Sequence, residues 1–157
     1  MSRTTPATLA LDKAGVAYTL STYDYDPGAD RIGLQAAEAL GVPPAQVLKT
    51  LMVKVDGKPA CVILASDREV AMKKLAAALG AKSAEMMKPA DAERLTGYRV
   101  GGVSPFGQKR PVPTVIDAKA AALPAAYLNG GQRGLQVRLA PADLVRVLGA
   151  MVAVVAA

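Results

Sequence analysis

A single lysine interrupts an otherwise apolar run, Val47-Leu48-Lys49-Thr50-Leu51-Met52-Val53. The run reads as a strand, and alternate residues of a strand share a face, so Lys49 lies with Val47 and Leu51. An inward lysine is costly unless an anionic group meets it, which makes Lys49 a candidate for holding one. The alternative is a solvated face from which the ammonium snorkels to water. A second chemical segment runs from Gly97 to Arg110 and carries four glycines and Pro105. Glycines let backbone N–H groups come close to a ligand, and an array of such groups binds anions or a developing oxyanion. The spacing of Gly102 and Gly107 approaches that of a phosphate loop. However, Gln108 precedes Lys109, no Ser or Thr follows the lysine, and Pro105 lacks an N–H, so a nucleotide-triphosphate site is excluded. A plain long turn is the alternative for this segment.

Two further stretches could contribute. Thr22-Tyr23-Asp24-Tyr25-Asp26-Pro27 crowds two tyrosines and two carboxylates into a turn; solvated acids in an Asx-type turn would look the same. Asn129-Gly130-Gly131-Gln132-Arg133-Gly134 is a second glycine-rich loop with a cation, able to complete the same pocket or to be an ordinary hairpin turn.

Composition narrows the chemistry. The chain has no histidine and one cysteine, Cys61. The commonest general base is therefore missing, a zinc site is not expected, and no intramolecular disulfide can form. No metal or cofactor is expected. Cys61 sits in the apolar Ala60–Leu64 stretch and reads as core packing. The formal charge of +6 suits a polyanionic partner, although charge by itself speaks to association rather than fold. No run approaches the roughly 20 apolar residues that span a bilayer, and Ala7–Leu11 meets Asp12 and Lys13 too soon to read as a signal peptide. A cytoplasmic protein without membrane contact is expected.

The elements that must position these segments follow from local pattern. Thr5 before Pro6 suits a helix start, and Gly15 its end. Val16–Thr22 reads as a strand, Asp24–Asp30 as a loop, and Leu34, Ala37 and Leu40 as a helix closed by Gly41. Val47–Val55 and Pro59–Ala65 form a hairpin about Asp56-Gly57. Met72–Leu79 and Ala90–Leu95 read as helices, Val112–Ile116, Ala126–Leu128 and Leu135–Leu139 as strands, Asp143–Leu148 as a last helix and Val152–Val155 as a terminal strand. Helices and strands mix without regular βαβ alternation, so the expectation is an α+β fold in one domain spanning 1–157.

Taken together, these segments resemble the YbaK family of aminoacyl-tRNA deacylases. The matching pieces are Thr22-Tyr23-Asp24, Asp26-Pro27, Lys49-Thr50-Leu51, Thr96-Gly97-Tyr98, Val100-Gly101-Gly102-Val103-Ser104-Pro105, Gly107-Gln108-Lys109, and Gly130-Gly131 with Arg133-Gly134-Leu135. They cover nearly the whole chain, in the family's order and roughly its spacing. Ser21, Leu48 and Gln136 stand where the family often has a histidine, an aromatic residue and, in some members, an acidic residue. The resemblance implies a mixed, barrel-like β-sheet flanked by helices, of the prolyl-tRNA synthetase insertion-domain type. It implies hydrolysis of the ester joining a wrong amino acid to tRNA, with the acceptor end of tRNA(Pro) carrying cysteine as substrate and prolyl-tRNA synthetase as a candidate second partner.

It also implies roles. Lys49 matches the family's essential lysine; Gly101, Gly102 and Ser104 match the loop thought to hold the terminal adenosine and the carbonyl. Tyr23, Thr50, Tyr98, Val103, Pro105 and Gly131 are expected to bind substrate. The cysteine thiol is thought to attack its own carbonyl and leave as a thiolactone, a lyase-like release that suits a chain without histidine. Lys49 would anchor the terminal nucleotide, and the Gly101–Ser104 backbone would hold the oxyanion. Two rivals remain: removal of alanine from tRNA(Pro) by a positioned water, and a tRNA- or synthetase-binding module without activity.

Overall fold

The computed structural model describes residues 4–28 and 32–157. Of the expected loop at Asp24–Asp30, residues 29 and 30 therefore lie outside the described residues. Helix α1 (Pro6–Lys13) begins at Thr5, whose side chain accepts from the Thr8 N–H while the Thr8 hydroxyl accepts from the Thr5 N–H, a reciprocal cap. Strand β1 (Thr19–Thr22) starts three residues later than the pattern suggested. Helix α2 (Ile32–Leu40) and a 3₁₀ turn at Pro44–Gln46 lead into β2 (Leu48–Val55). Asp56 and Gly57 both take positive φ, 49° and 79°, which is the twist a two-residue hairpin needs, and β3 (Lys58–Ala65) returns against β2 with Val55 opposite Lys58.

Helix α3 (Met72–Ala78), strand β4 (Ala84–Met86) and helix α4 (Pro89–Thr96) follow. After the Gly97–Arg110 loop come β5 (Thr114–Asp117), the short α5 (Ala118–Ala121), β6 (Ala126–Asn129), β7 (Leu135–Leu139), α6 (Pro141–Leu148) and β8 (Met151–Ala153).

The strands form two sheets. One is antiparallel with the order β1-β7-β6; the other is mixed, with the order β4-β2-β3-β5-β8, antiparallel from β4 to β3 and parallel from β3 to β8. A parallel bridge between Val47 and Tyr127 joins the two. The expected mixed α+β architecture is present, but the sheet is not closed into a barrel: β4 and β8 remain edges of the mixed sheet.

The main core fills the space between the sheets. Leu48 and Met52 of β2, Cys61 and Ile63 of β3, and Leu128 and Val137 of the antiparallel sheet meet there, covered by Leu11 of α1 and Leu144 of α6. The opposite face of the mixed sheet, with Val53, Val62 and Val115, packs on Leu75 of α3. A third cluster joins Ala36 and Ala37 of α2 to Val47, with Tyr23 and Tyr127 against it. No helix among the described residues is long and apolar enough to cross a membrane.

Candidate active site

The site arises where β2 outruns its neighbour. β4 pairs only with Val53–Val55, and the Met87 N–H donates to the Met52 carbonyl at 3.1 Å as the last rung on that side. Backbone groups along a strand alternate in direction, so Thr50, two residues before Met52, turns its N–H and C=O away from β3 toward the same open edge. At the other end of this gap the parallel Val47–Tyr127 bridge joins the residue before β2 to β6. Between them lies a cleft of about 350 Å³, in the range of small-molecule sites. Its β2 wall is Val47–Met52, with Lys49 half-buried; Met87, Pro89 and Ala92 close one end, Asn129 and Gln136 the other, and Val100, Gly101 and Val103 face it from the glycine loop.

The glycine loop is held at many points. Gly97 caps α4 with φ 82°, and the Lys109 N–H donates to the Thr96 carbonyl at 3.0 Å, closing the loop's base. The Val100 N–H donates to the Glu93 carboxylate at 2.9 Å. The Tyr98 hydroxyl donates to the Phe106 carbonyl, and the Phe106 N–H donates to the Ser104 hydroxyl at 3.2 Å. The second loop is tied to the first. Asn129 donates to the carbonyls of Gly101 and Gln132 at 3.1 and 3.2 Å while accepting from the N–H groups of Gly131 and Gln132. Arg133 donates to the Val100 carbonyl at 2.9 Å, and its guanidinium lies 5.1 Å from the centre of the Tyr25 ring, a cation–π contact.

This packing explains much of the glycine content. A Cβ on Gly102 would come within 2.9 Å of the Arg133 nitrogen, one on Gly101 within 2.5 Å of the Tyr25 hydroxyl, and one on Gly131 within 2.8 Å of the Tyr98 ring. The close approach that the sequence signalled is, at these three positions, approach by the protein's own groups.

The cleft thus brings together four of the expected site residues: Lys49, Thr50, Gly101 and Val103. The others stand apart from its lining. Gly102 faces the second loop, and its N–H donates to the Arg99 carbonyl at 2.8 Å. Ser104 is fully buried with its hydroxyl committed to Phe106, Pro105 is buried beside it, and Tyr98 belongs to the core, its hydroxyl pushed up to about 12 by burial. Gly131 rests on Tyr98. Tyr23 packs against Ala36, Ala37 and Val47; burial first, and then the neighbouring Tyr25, raise its pKa. Cys61 is buried in the main core, and its thiol is pushed up to about 12.

Three buried polar atoms have no hydrogen-bond partner among the described residues: the Tyr23 hydroxyl, Thr50 Oγ1 and Gln136 Oε1. Gln136 is not among the residues that the sequence pattern assigns to the site. The available signal was an amide inside the apolar stretch Leu135–Leu139, where such a group needs a partner. No cluster of three or more His, Cys, Asp or Glu side chains suited to a metal is found among the described residues.

The frame is a mixed α+β domain in which β2 is open along part of one edge and two glycine loops interlock, and sequence comparison gives its class. The chain belongs to the aminoacyl-tRNA editing domain family, whose profile matches residues 26–147. Among its relatives is EbsC of Enterococcus faecalis, provisionally named a Cys-tRNA(Pro)/Cys-tRNA(Cys) deacylase, 37% identical over 122 residues that cover 76% of this chain and 74% of EbsC. Proline–tRNA ligase of Acidithiobacillus ferrooxidans is 34% identical over 94 residues, which cover 60% of this chain and 16% of the ligase. The fold matches the crystal structure of a hypothetical protein with a TM-score of 0.87 at 24% identity, covering 98% of this chain and 100% of that one. It also matches a structure described as a candidate trans-editing enzyme for prolyl-tRNA synthetase, with a TM-score of 0.82 at 23% identity and 99% of both chains covered.

Proposed function

We propose that this chain is a trans-editing deacylase that releases cysteine from mischarged tRNA(Pro), the substrate thiol serving as nucleophile. The observation that carries the reading is the presence of Lys49, Gly101 and Val103 in the lining of one cleft, in a chain whose family is an aminoacyl-tRNA editing domain. EbsC's name supports the choice of cysteine and tRNA(Pro), and the ligase relative supports prolyl-tRNA synthetase as a partner in the cell.

The chemistry needs little from the protein. A synthetase separates near-isosteric amino acids by only about 1–3 kcal/mol, so a second site is the physical remedy. The cleft folds the cysteinyl group back on itself. Its thiolate attacks the ester carbonyl, a C–S bond forms, and the ester C–O bond breaks. The ribose hydroxyl leaves with a proton, and the amino acid departs as a thiolactone that water opens. Lys49 anchors the terminal nucleotide, and the loop backbone at Gly101 and Val103 stabilises the oxyanion. The +6 charge favours association with the acceptor stem.

The test is incubation of the purified protein with cysteinyl- and alanyl-tRNA(Pro), following release of each amino acid and trapping thiolactone. Release of cysteine with thiolactone is expected. Preferential release of alanine would replace the thiol by a positioned water, and release of neither would leave a binding module.

A further inference from the structure

We infer that Gln136 is a specificity residue that reads the free α-amino group of the aminoacyl ester, through Oε1, at the polar end of the cleft. This rests on the deacylase reading above. Gln136 is 4% exposed yet lines the cleft, and its Oε1 has no partner among the described residues. A buried carbonyl oxygen left in that state costs about 1–3 kcal/mol, and as an acceptor it can be satisfied only by a donor.

Register shows what surrounds it. Gln136 lies directly opposite Ser21 on β1 and Asn129 on β6, so these three side chains share a face of the antiparallel sheet. Tyr23, two residues beyond Ser21, continues that face and packs against Val47, at the start of the β2 wall on which Thr50 lies. Of the other two unpartnered oxygens, that of Thr50 also lies on a residue of the cleft's β2 wall, while that of Tyr23 stands outside the lining. The far end, at Met52, Met87 and Ala92, is apolar.

A mischarged aminoacyl ester brings few donors close to its carbonyl. The ribose hydroxyl offers one. The α-ammonium offers three N–H bonds in diverging directions together with a positive charge, which strengthens hydrogen bonds to neutral oxygens. The ammonium can meet Gln136 Oε1 and keep N–H bonds for a further acceptor of the cleft, such as Thr50 Oγ1. Seating it at this end directs the rest of the amino acid toward the apolar end and sets the carbonyl between them, beside the Gly101 wall.

The experiment is a cycle that deletes the amine and the amide separately. Release is measured from cysteinyl-tRNA(Pro) and from 3-mercaptopropionyl-tRNA(Pro), which keeps the thiol and lacks the amine, each corrected for spontaneous hydrolysis. Wild type, Gln136→Leu and Gln136→Glu are compared, with folding checked by thermal unfolding. Wild type is expected to prefer the cysteinyl ester by about tenfold to a hundredfold in kcat/KM. Gln136→Leu should lose that preference, whereas Gln136→Glu, which keeps an acceptor, should retain it. The same preference in wild type and Gln136→Leu, as a water seated at Gln136 would give, overturns the assignment. Loss of the preference in Gln136→Glu as complete as in Gln136→Leu overturns the acceptor role. A wild type that releases neither ester defeats the deacylase reading itself, an outcome distinct from both.

Discussion

The side-chain amide of Asn129 donates to the carbonyl of Gly101 at 3.1 Å, joining two glycine loops that lie 28 residues apart in the chain. Its oxygen meanwhile accepts from the N–H groups of Gly131 and Gln132, so one side chain sets both the turn at the end of β6 and the wall of the cleft. Asn129→Asp keeps the acceptor and removes the donor. It should cost about 1–3 kcal/mol of stability. It should also lower kcat/KM for deacylation more than it raises KM, because Gly101 is displaced while Lys49 is untouched. Thermal unfolding and steady-state kinetics measure the two effects; normal kinetics at reduced stability would show that Gly101 does not need this anchor.

Lys49→Ala should abolish deacylation with little loss of stability. The side chain is half-buried on the cleft wall, and the packing of β2 rests on Leu48, Met52 and Val53 rather than on Lys49. Lys49→Arg should fail as well, since a planar fork does not take the place of a compact ammonium. Single-turnover assays with circular dichroism as the folding control decide it. Turnover within a few-fold of wild type by the alanine variant would remove Lys49 from the site, since losing a charged hydrogen-bonding partner is worth about 1.5–3 kcal/mol.

How far the sequence reached can be judged at particular residues. Asp56-Gly57, the Thr5 cap and the helix ends at Gly15 and Gly41 act through local backbone preference, so they could be read directly. Strand β4 could not: Ala84-Glu85-Met86 has no strand propensity to speak of, and it becomes a strand by pairing with the edge of β2. The end of β4 in turn exposes the rest of that edge, so the cleft depends on an element invisible to pattern. The glycines were legible as points of close approach, but residue type does not say what approaches. At Gly102 it is the backbone of Arg133, and at Gly131 it is the ring of Tyr98. Lys49 was legible because a charge in an apolar strand is rare. Gln136 was less so, because its significance lies in a missing partner that only three-dimensional packing reveals.

Alkali should weaken the fold in a definable window. Burial pushes the Cys61 thiol up to about 12, with a hydrogen bond from Thr114 pulling the other way, and pushes the Tyr98 hydroxyl up to about 12 as well. Both groups are neutral when protonated and ionise more easily in the unfolded chain, at about 8.5 and about 10. Below pH 8.5 neither distinguishes the two states. Above it the folded protein binds more protons than the unfolded chain, so stability falls as pH rises toward 12. Denaturant unfolding from pH 7 to 11 should show a decline that begins near pH 9. Cys61→Ala, starting from a lower baseline because of the cavity, should delay that decline until the tyrosine range. An unchanged onset in the variant would mean that the thiol does not contribute.

The same burial bears on the mechanism. A thiol held protonated to about 12 in the core cannot supply a nucleophile at neutral pH, so Cys61→Ala should leave the rate of deacylation intact. If the reacting sulfur belongs to the substrate, replacing cysteine on the tRNA by serine or by 2-aminobutyrate should remove most activity although both fit the same volume. A hydroxyl is far less ionised than a thiol, and the methyl analogue carries no nucleophile. The rate should rise with pH toward the ordinary thiol pKa of about 8.5 and show no limb near 6.5, because the chain has no histidine to titrate there. The rise must be followed only up to the onset of alkaline unfolding, which the preceding measurement supplies. Rapid hydrolysis of the 2-aminobutyryl ester would contradict the thiol mechanism and move the assignment to a positioned water, for which Thr50 and Gln136, whose unpartnered oxygens belong to the cleft's lining residues, would be the first to mutate.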